Sequence, residues 1–167
     1  MGKLLSGSMK INKFKEILNR ANKFVFIGTT WMTPMIAEIF TSLCFAEKRV
    51  VILGDKQPYN IKSYEILNAQ DVEVYLDCNG IEPHYKYLIT EDEFITTSQN
   101  FTRRGFLKQK NLFEYRLSSD EPIVYREVMD FHNKVLLDCV PFSDNIVKKP
   151  KSPISDALRE GAKALFS

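Results

Sequence analysis

Histidine, cysteine and tryptophan are scarce in this sequence. Across 167 residues there are two histidines, three cysteines and one tryptophan. His84 and His132 lie far apart in the chain, and Cys44, Cys78 and Cys139 form no Cys-x-x-Cys pair. A zinc site is therefore disfavoured, and an odd number of widely spaced thiols reads as small buried hydrophobes, reduced, not as a disulfide framework. No apolar run approaches the roughly 20 residues of a membrane span, so no stable membrane insertion is expected. The opening MGKLLSGS lacks the apolar stretch of a signal peptide, which gives a cytoplasmic expectation. Neither Gly-x-Gly-x-x-Gly nor Gly-x4-Gly-Lys-Ser/Thr occurs, and this disfavours a nucleotide-cofactor fold. No cofactor and no metal are expected. The net charge is only +2, so any attraction to a polyanion has to be local.

What is present is an alternation of helical and strand-like stretches. Ile11 to Asn22 has helical spacing, with Ile11, Phe14, Ile17 and Leu18 on one side. Phe24 to Gly28 and Val50 to Gly54 are short continuous apolar runs, as in buried central strands. Between them a helix is predicted from Pro34 to about Lys48, with Thr33 as its cap. A short helix from Ile61 to Ala69 and a strand from Val72 to Leu76 follow. Strand, helix, strand, helix, strand is the grammar of a parallel sheet with helices on its faces. After Pro83 it changes to three extended segments, HYKYLIT, EFITTS and NLFEYRL, and residues 121 to 137 return to helix. The expected fold is α/β, a mixed, largely parallel sheet sandwiched between helices. Residues 1–10 read as a flexible tail, 11–140 as one catalytic domain, and 141–167 as a Pro/Lys-rich arm with a short terminal helix.

The chemistry concentrates between His84 and Glu114. His84-Tyr-Lys86 opens one extended segment, Ser98-Gln-Asn100 closes the next, and Glu114 lies on a third. A neutral imidazole can attack phosphorus, provided its second nitrogen has an acceptor. Glu114 could be that acceptor. Lys86 brings a point charge to phosphate oxygens, and Asn100 and Ser98 bring neutral donors.

This constellation resembles the His-x-Lys-x4-Asp and Gly-Ser-x-Asn pattern of the phospholipase D superfamily, and in particular its small bacterial nucleases with one motif per chain. Two positions depart: Glu91 stands in the Asp position, with Asp92 one residue late as the alternative, and Thr97 stands in the Gly position. In the family that Asp is thought to support the strand turn more than the chemistry. The resemblance implies one phospholipase D-like lobe. It also implies a metal-independent phosphodiesterase working through a phosphohistidine on His84, and a homodimer that brings two such motifs together. It leaves open a phospholipase or cardiolipin-type hydrolase using the same residues, and a catalytically silent nucleic-acid-binding or assembly module.

Arg103, Arg104, Lys108 and Lys110 form a basic loop beside this site, flanked by Phe101 and Phe106. It fits contact with a nucleic-acid backbone, DNA ahead of RNA, with stacking on the rings, or else a plain solvated loop. Trp31, Met32 and Met35 follow the first central strand at its carboxyl end, where they would line a substrate groove or serve core or dimer packing. A second His-x-Lys occurs at His132-Asn-Lys134, but it falls in a helical pattern. There the two side chains are about 200° apart around the axis and cannot converge. A polar helix face is the expected role of His132.

Overall fold

The apolar runs beginning at Phe24 and Val50 and the alternating one beginning at Val72 become three adjacent strands, and the rest of the chain folds around them. A computed structural model describes residues 3–54, 59–77, 84–108 and 111–142. In chain order the elements are β1 (Lys3–Leu4), α1 (Ser8–Arg20), β2 (Phe24–Thr29), α2 (Pro34–Leu43), β3 (Lys48–Gly54), α3 (Ile61–Asn68) and β4 (Glu73–Asp77), then β5 (Tyr87–Thr90), β6 (Glu93–Thr97), α4 (Arg103–Leu107), β7 (Phe113–Leu117), α5 (Pro122–Leu137) and β8 (Cys139–Pro141).

One eight-stranded sheet runs in the order β1-β7-β6-β5-β2-β3-β4-β8. Only β2–β3 and β3–β4 are parallel, and the other five pairings are antiparallel. The sheet is mixed as expected, but it is not largely parallel. The crossovers through α2 and α3 build the two parallel pairs. The tight connection of β5 to β6 and the short return through α4 to β7 then add antiparallel neighbours, because a strand that turns straight back can pair only that way. The two edge strands, β1 and β8, are too short to carry a periodic signature.

Alternation along the strands divides the core. Val25 and Ile27 of β2, Val51 and Leu53 of β3, and Val74 and Leu76 of β4 face α1, α2, α3 and α4. Phe26, Val50, Ile52, Tyr87, Ile89 and Phe94 face α5, whose Val124, Tyr125 and Val128 pack on them. Each fully buried aliphatic side chain stabilises by about 1.5–3 kcal/mol, an upper estimate. Lys3 and Leu4 pair with Tyr115 and Glu114, so the expected N-terminal tail supplies an edge strand and the first turn of α1. Helix α2 stops at Leu43, short of Lys48. Cys44 is already extended there and caps the helix through its amide to Phe40 O. Residues 143–167, which hold nearly all of the expected arm and the terminal helix, lie outside the described residues. Among the described residues no helix is long and apolar enough to cross a membrane.

Candidate active site

The β5–β6 hairpin sets the site. Its ladder pairs Ile89 with Phe94, Leu88 with Ile95 and Tyr87 with Thr96. It continues one step beyond the named strands, where the Thr97 amide donates to Lys86 O at 3.1 Å. His84-x-Lys86 therefore enters the hairpin at the end where Ser98-x-Asn100 leaves it. His84 and Lys86 precede β5 instead of lying within it, because pairing with β2 stops at Gly28–Tyr87. The pleat of β5 thus does not set where the two side chains point. His84 is exposed and Lys86 half-buried, and Lys86 Nζ donates to His84 O at 3.0 Å.

The Ser98-x-Asn100 loop is fastened on two sides. The Ser98 amide donates to Leu112 O and the Leu112 amide donates to Ser98 Oγ, each at 3.1 Å. As a hydroxyl, Ser98 keeps its own proton to donate. Asn100 Oδ1 accepts from the Trp31 amide at 3.4 Å. Phe101 makes a parallel bridge to Met32, its amide donates to Thr29 Oγ1 at 3.1 Å, and its carbonyl accepts from the Thr33 amide at 3.2 Å. The loops after β2 and β6 are thereby zipped together at the carboxyl end of the parallel strands, where open α/β sheets place ligands.

Residues that sequence reasoning passed over hold this arrangement. Asn60 Oδ1 accepts from the Met32 amide at 3.1 Å while its Nδ2 donates to Thr30 O at 3.0 Å, and Ser63 Oγ donates to Met32 O at 2.7 Å. Lys10 is buried beneath the loop, with Nζ donating to Gln99 Oε1 at 2.8 Å and Gly105 O at 3.3 Å. Burial pulls its pKa below the ordinary lysine value. A lysine on an amphipathic helix carries no sequence signal of such a role.

Part of the expected basic loop is helix α4, capped by Thr102 Oγ1, which accepts from the Gly105 amide at 3.0 Å. Arg103, Arg104 and Lys108 are exposed, and Lys110 lies outside the described residues. Phe101 and Phe106 are buried in the core, in edge contact with one another, so neither ring is open for stacking. Met32 is buried as well, whereas Trp31 is exposed.

Solved structures were compared with this architecture. The phospholipase D family member Nuc from Salmonella typhimurium superposes with a TM-score of 0.70 at 11% identity, covering 86% of this chain and 100% of its own. The chain has the phospholipase D fold. NucT from Helicobacter pylori superposes at 0.65 with 16% identity over 85% of this chain and 99% of its own. TrmBL2, an archaeal chromatin protein, superposes at 0.61 with 11% identity over 85% of this chain and 55% of its own. No family model matches the chain, and no curated protein matches it significantly in sequence.

Within this phospholipase D fold the two departures from the motif have structural explanations. Glu91 Oε1 accepts from the amides of Asn22 and Lys23 at 2.7 and 3.1 Å, and Oε2 from that of Phe24 at 3.5 Å. Partial burial works against its charge, but these amides outweigh it and hold the carboxyl below its ordinary range. The carboxylate ties the hairpin turn to the start of β2. Thr97 has no positive φ, so its position makes no demand for glycine. Its Oγ1 donates to Leu112 O at 2.6 Å and accepts from the Gln99 amide at 3.1 Å.

The strand of Glu114 pairs with β6, not with β5. Glu114 itself pairs with Thr96 inside the β6–β7 ladder, in the row that continues to Tyr87, and its Oε2 lies 2.7 Å from Arg116 Nη2. No described bond joins it to His84. Asn111, directly before Leu112, is the polar residue of this segment at the Ser98 end.

His132 is fully buried on α5, not on a polar face. Its Nδ1 is hydrogen-bonded to the Tyr87 hydroxyl at 2.9 Å, and its ring stacks on Phe26 at 4.3 Å. Nε2 has no partner among the described residues. Burial, with the nearby Lys48 charge, pulls its pKa down to about 4.

Proposed function

We propose that the protein is a metal-independent phosphodiesterase that cleaves nucleic acid, DNA ahead of RNA, as an endonuclease. The observation that carries this reading is the convergence of His84-x-Lys86 and Ser98-x-Asn100 at one end of the β5–β6 hairpin. His84 attacks phosphorus, the P–N bond forms as the P–O bond to the leaving oxygen breaks, and a proton is delivered to that oxygen. Water then cleaves the phosphohistidine and regenerates the imidazole. Lys86, Asn100 and Ser98 stabilise the charge that develops on the non-bridging oxygens. Arg103, Arg104, Lys108 and Lys110 hold the flanking backbone.

The proton donor must lie opposite the nucleophile. His132 is buried and engaged by Tyr87, so the donor in this reading is His84 of a second copy across a two-fold axis. TrmBL2, a chromatin protein with a novel mode of DNA binding, and a phosphatidylserine synthase from Haemophilus influenzae both share the fold, so the preference for nucleic acid over a lipid headgroup rests on the exposed Arg103, Arg104 and Lys108. A second reading, a silent binding module, is favoured by the engagement of Glu114 with Arg116.

Cleavage of labelled single- and double-stranded DNA and RNA in excess EDTA tests the proposal, with phospholipid vesicles as the competing substrate. Activity that persists in EDTA is expected. Activity lost on chelation and restored by Mg2+ overturns the histidine mechanism, and nucleic-acid binding without cleavage favours the silent module. For the shared site, His84→Ala subunits exchanged in excess into the parent protein should suppress activity beyond dilution.

A further inference from the structure

Trp31 and Tyr59 are large aromatic side chains left in solvent at the active end of the sheet, 40% and 62% exposed. Trp31 follows β2, and Tyr59 lies on the connection from β3 to α3, just before the capping residue Asn60, so they come from the connections that follow two neighbouring parallel strands. Their ring centroids are 6.3 Å apart with the planes inclined by 52°. The Trp31 backbone is held by the site itself, since its amide donates to Asn100 Oδ1 and its carbonyl accepts from Thr29 Oγ1 at 3.0 Å. The next residue, Met32, is anchored by Asn60 and Ser63 and bridged to Phe101. An indole on so rigid a backbone has little freedom left to lose when a ligand lies on it. Arg103, whose amide donates to Thr33 Oγ1 at 3.0 Å, and Arg104 are exposed at the start of α4, on the loop zipped to the Trp31 segment.

We infer that Trp31 and Tyr59 form a stacking platform for the unpaired bases of a single strand whose phosphate lies at His84. This deepens the nuclease reading and rests on it. Two features point to that occupant. Stacking needs a base whose face is open, which a single strand offers and a duplex withholds. The arginines beside the platform match the backbone of the same strand. Met32, the next residue, takes the core position, which leaves the Trp31 ring outside the core.

Trp31 is the sole tryptophan of the chain, beside seven tyrosines, so fluorescence excited selectively at the indole reports on Trp31. The full chain carrying H84A is titrated with a single-stranded oligothymidylate, a blunt duplex of equal length, and a strand of abasic sites. Quenching by the oligothymidylate, and little by the other two, is expected. Anisotropy of a labelled strand should show W31A binding about ten-fold more weakly, with W31F restoring most of the loss. Equal quenching by duplex or abasic strand overturns the platform, as does unchanged affinity in W31A. A W31A protein that sediments as a monomer beside a dimeric parent would instead assign the ring to contact between copies. If the parent protein cleaves nucleic acid while these binding results fail, the platform falls and the nuclease reading stands. If it neither binds nor cleaves any nucleic acid, both fall.

Discussion

The chain contains the string His-x-Lys twice, and the two copies have opposite settings. His84 stands exposed before β5, beside Lys86 and opposite the Ser98-x-Asn100 loop. His132 is buried in α5 between Phe26 and Tyr87, while Lys134 of the same string is exposed. A nucleophile needs access to phosphorus, which only the first has. The second is a packing residue whose nitrogen satisfies a buried hydroxyl. The same three-residue pattern is therefore accessible in one place and built into the core in the other, according to the element that carries it.

The strongest way to break this comparison is to exchange the two roles. His84→Ala should lower cleavage by a factor of about 10³ or more while leaving thermal stability within about 0.5 kcal/mol, as for other surface substitutions. Cleavage assays paired with urea melts read both. His132→Ala should do the reverse, costing about 2–4 kcal/mol through the cavity and the orphaned Tyr87 hydroxyl. Its cleavage at a temperature where it remains folded should stay within a few-fold of the parent. Equal loss of activity from both variants would erase the distinction.

Acid sharpens the comparison. The His132 pKa lies at about 4 in the folded protein against 6.5 for a free imidazole. The unfolded chain thus binds the extra proton first, and stability is lost as pH falls from 6.5 through about 4. The loss amounts to about 3 kcal/mol, and urea melts across that window should show it in the parent but not in His132→Phe. A smaller effect is expected at the turn. Glu91→Ala frees three amides and should cost about 1–2 kcal/mol, with Glu91→Gln recovering part of it. The smallest concerns Arg103→Ala and Arg104→Ala, which should each weaken nucleic-acid binding a few-fold and reduce its salt dependence by about one phosphate contact.

Why the site was partly legible follows from the same residues. His84, Lys86, Ser98 and Asn100 are linked by one hairpin, and two short extended runs with a turn between them are enough to bring them together. Apolar runs placed β2 and β3 within a residue or two, since a buried strand needs nothing but continuous apolar side chains. The neighbours of Glu114 were not legible, because they depend on strand order and register, and a ladder shifted by a few residues changes which side chains meet. The antiparallel majority was missed because the direction in which β5 joins β2 depends on a long-range pairing that no local pattern shows, and because the edge strands β1 and β8, two and three residues long, have no period to read. Lys10 and Asn60 act through bonds to segments about 90 and 30 positions away, and no local pattern announces contacts of that span.

Gly28 carries a consequence for how the sequence can drift. The ring of Tyr87 crosses β2 at this position, so a Cβ added at Gly28 would lie 2.5 Å from its Cε1 and Cζ. Tyr87 in turn meets His132 on α5. Three positions on three elements are thereby bound into one hereditary unit. Relatives with a side chain at position 28 are expected to have lost the large ring at 87. Having lost its hydroxyl, they should be free to replace the imidazole at 132 with an apolar residue. The residues proposed for catalysis need not change at all, and an alignment in which these three columns vary independently of one another would contradict that linkage.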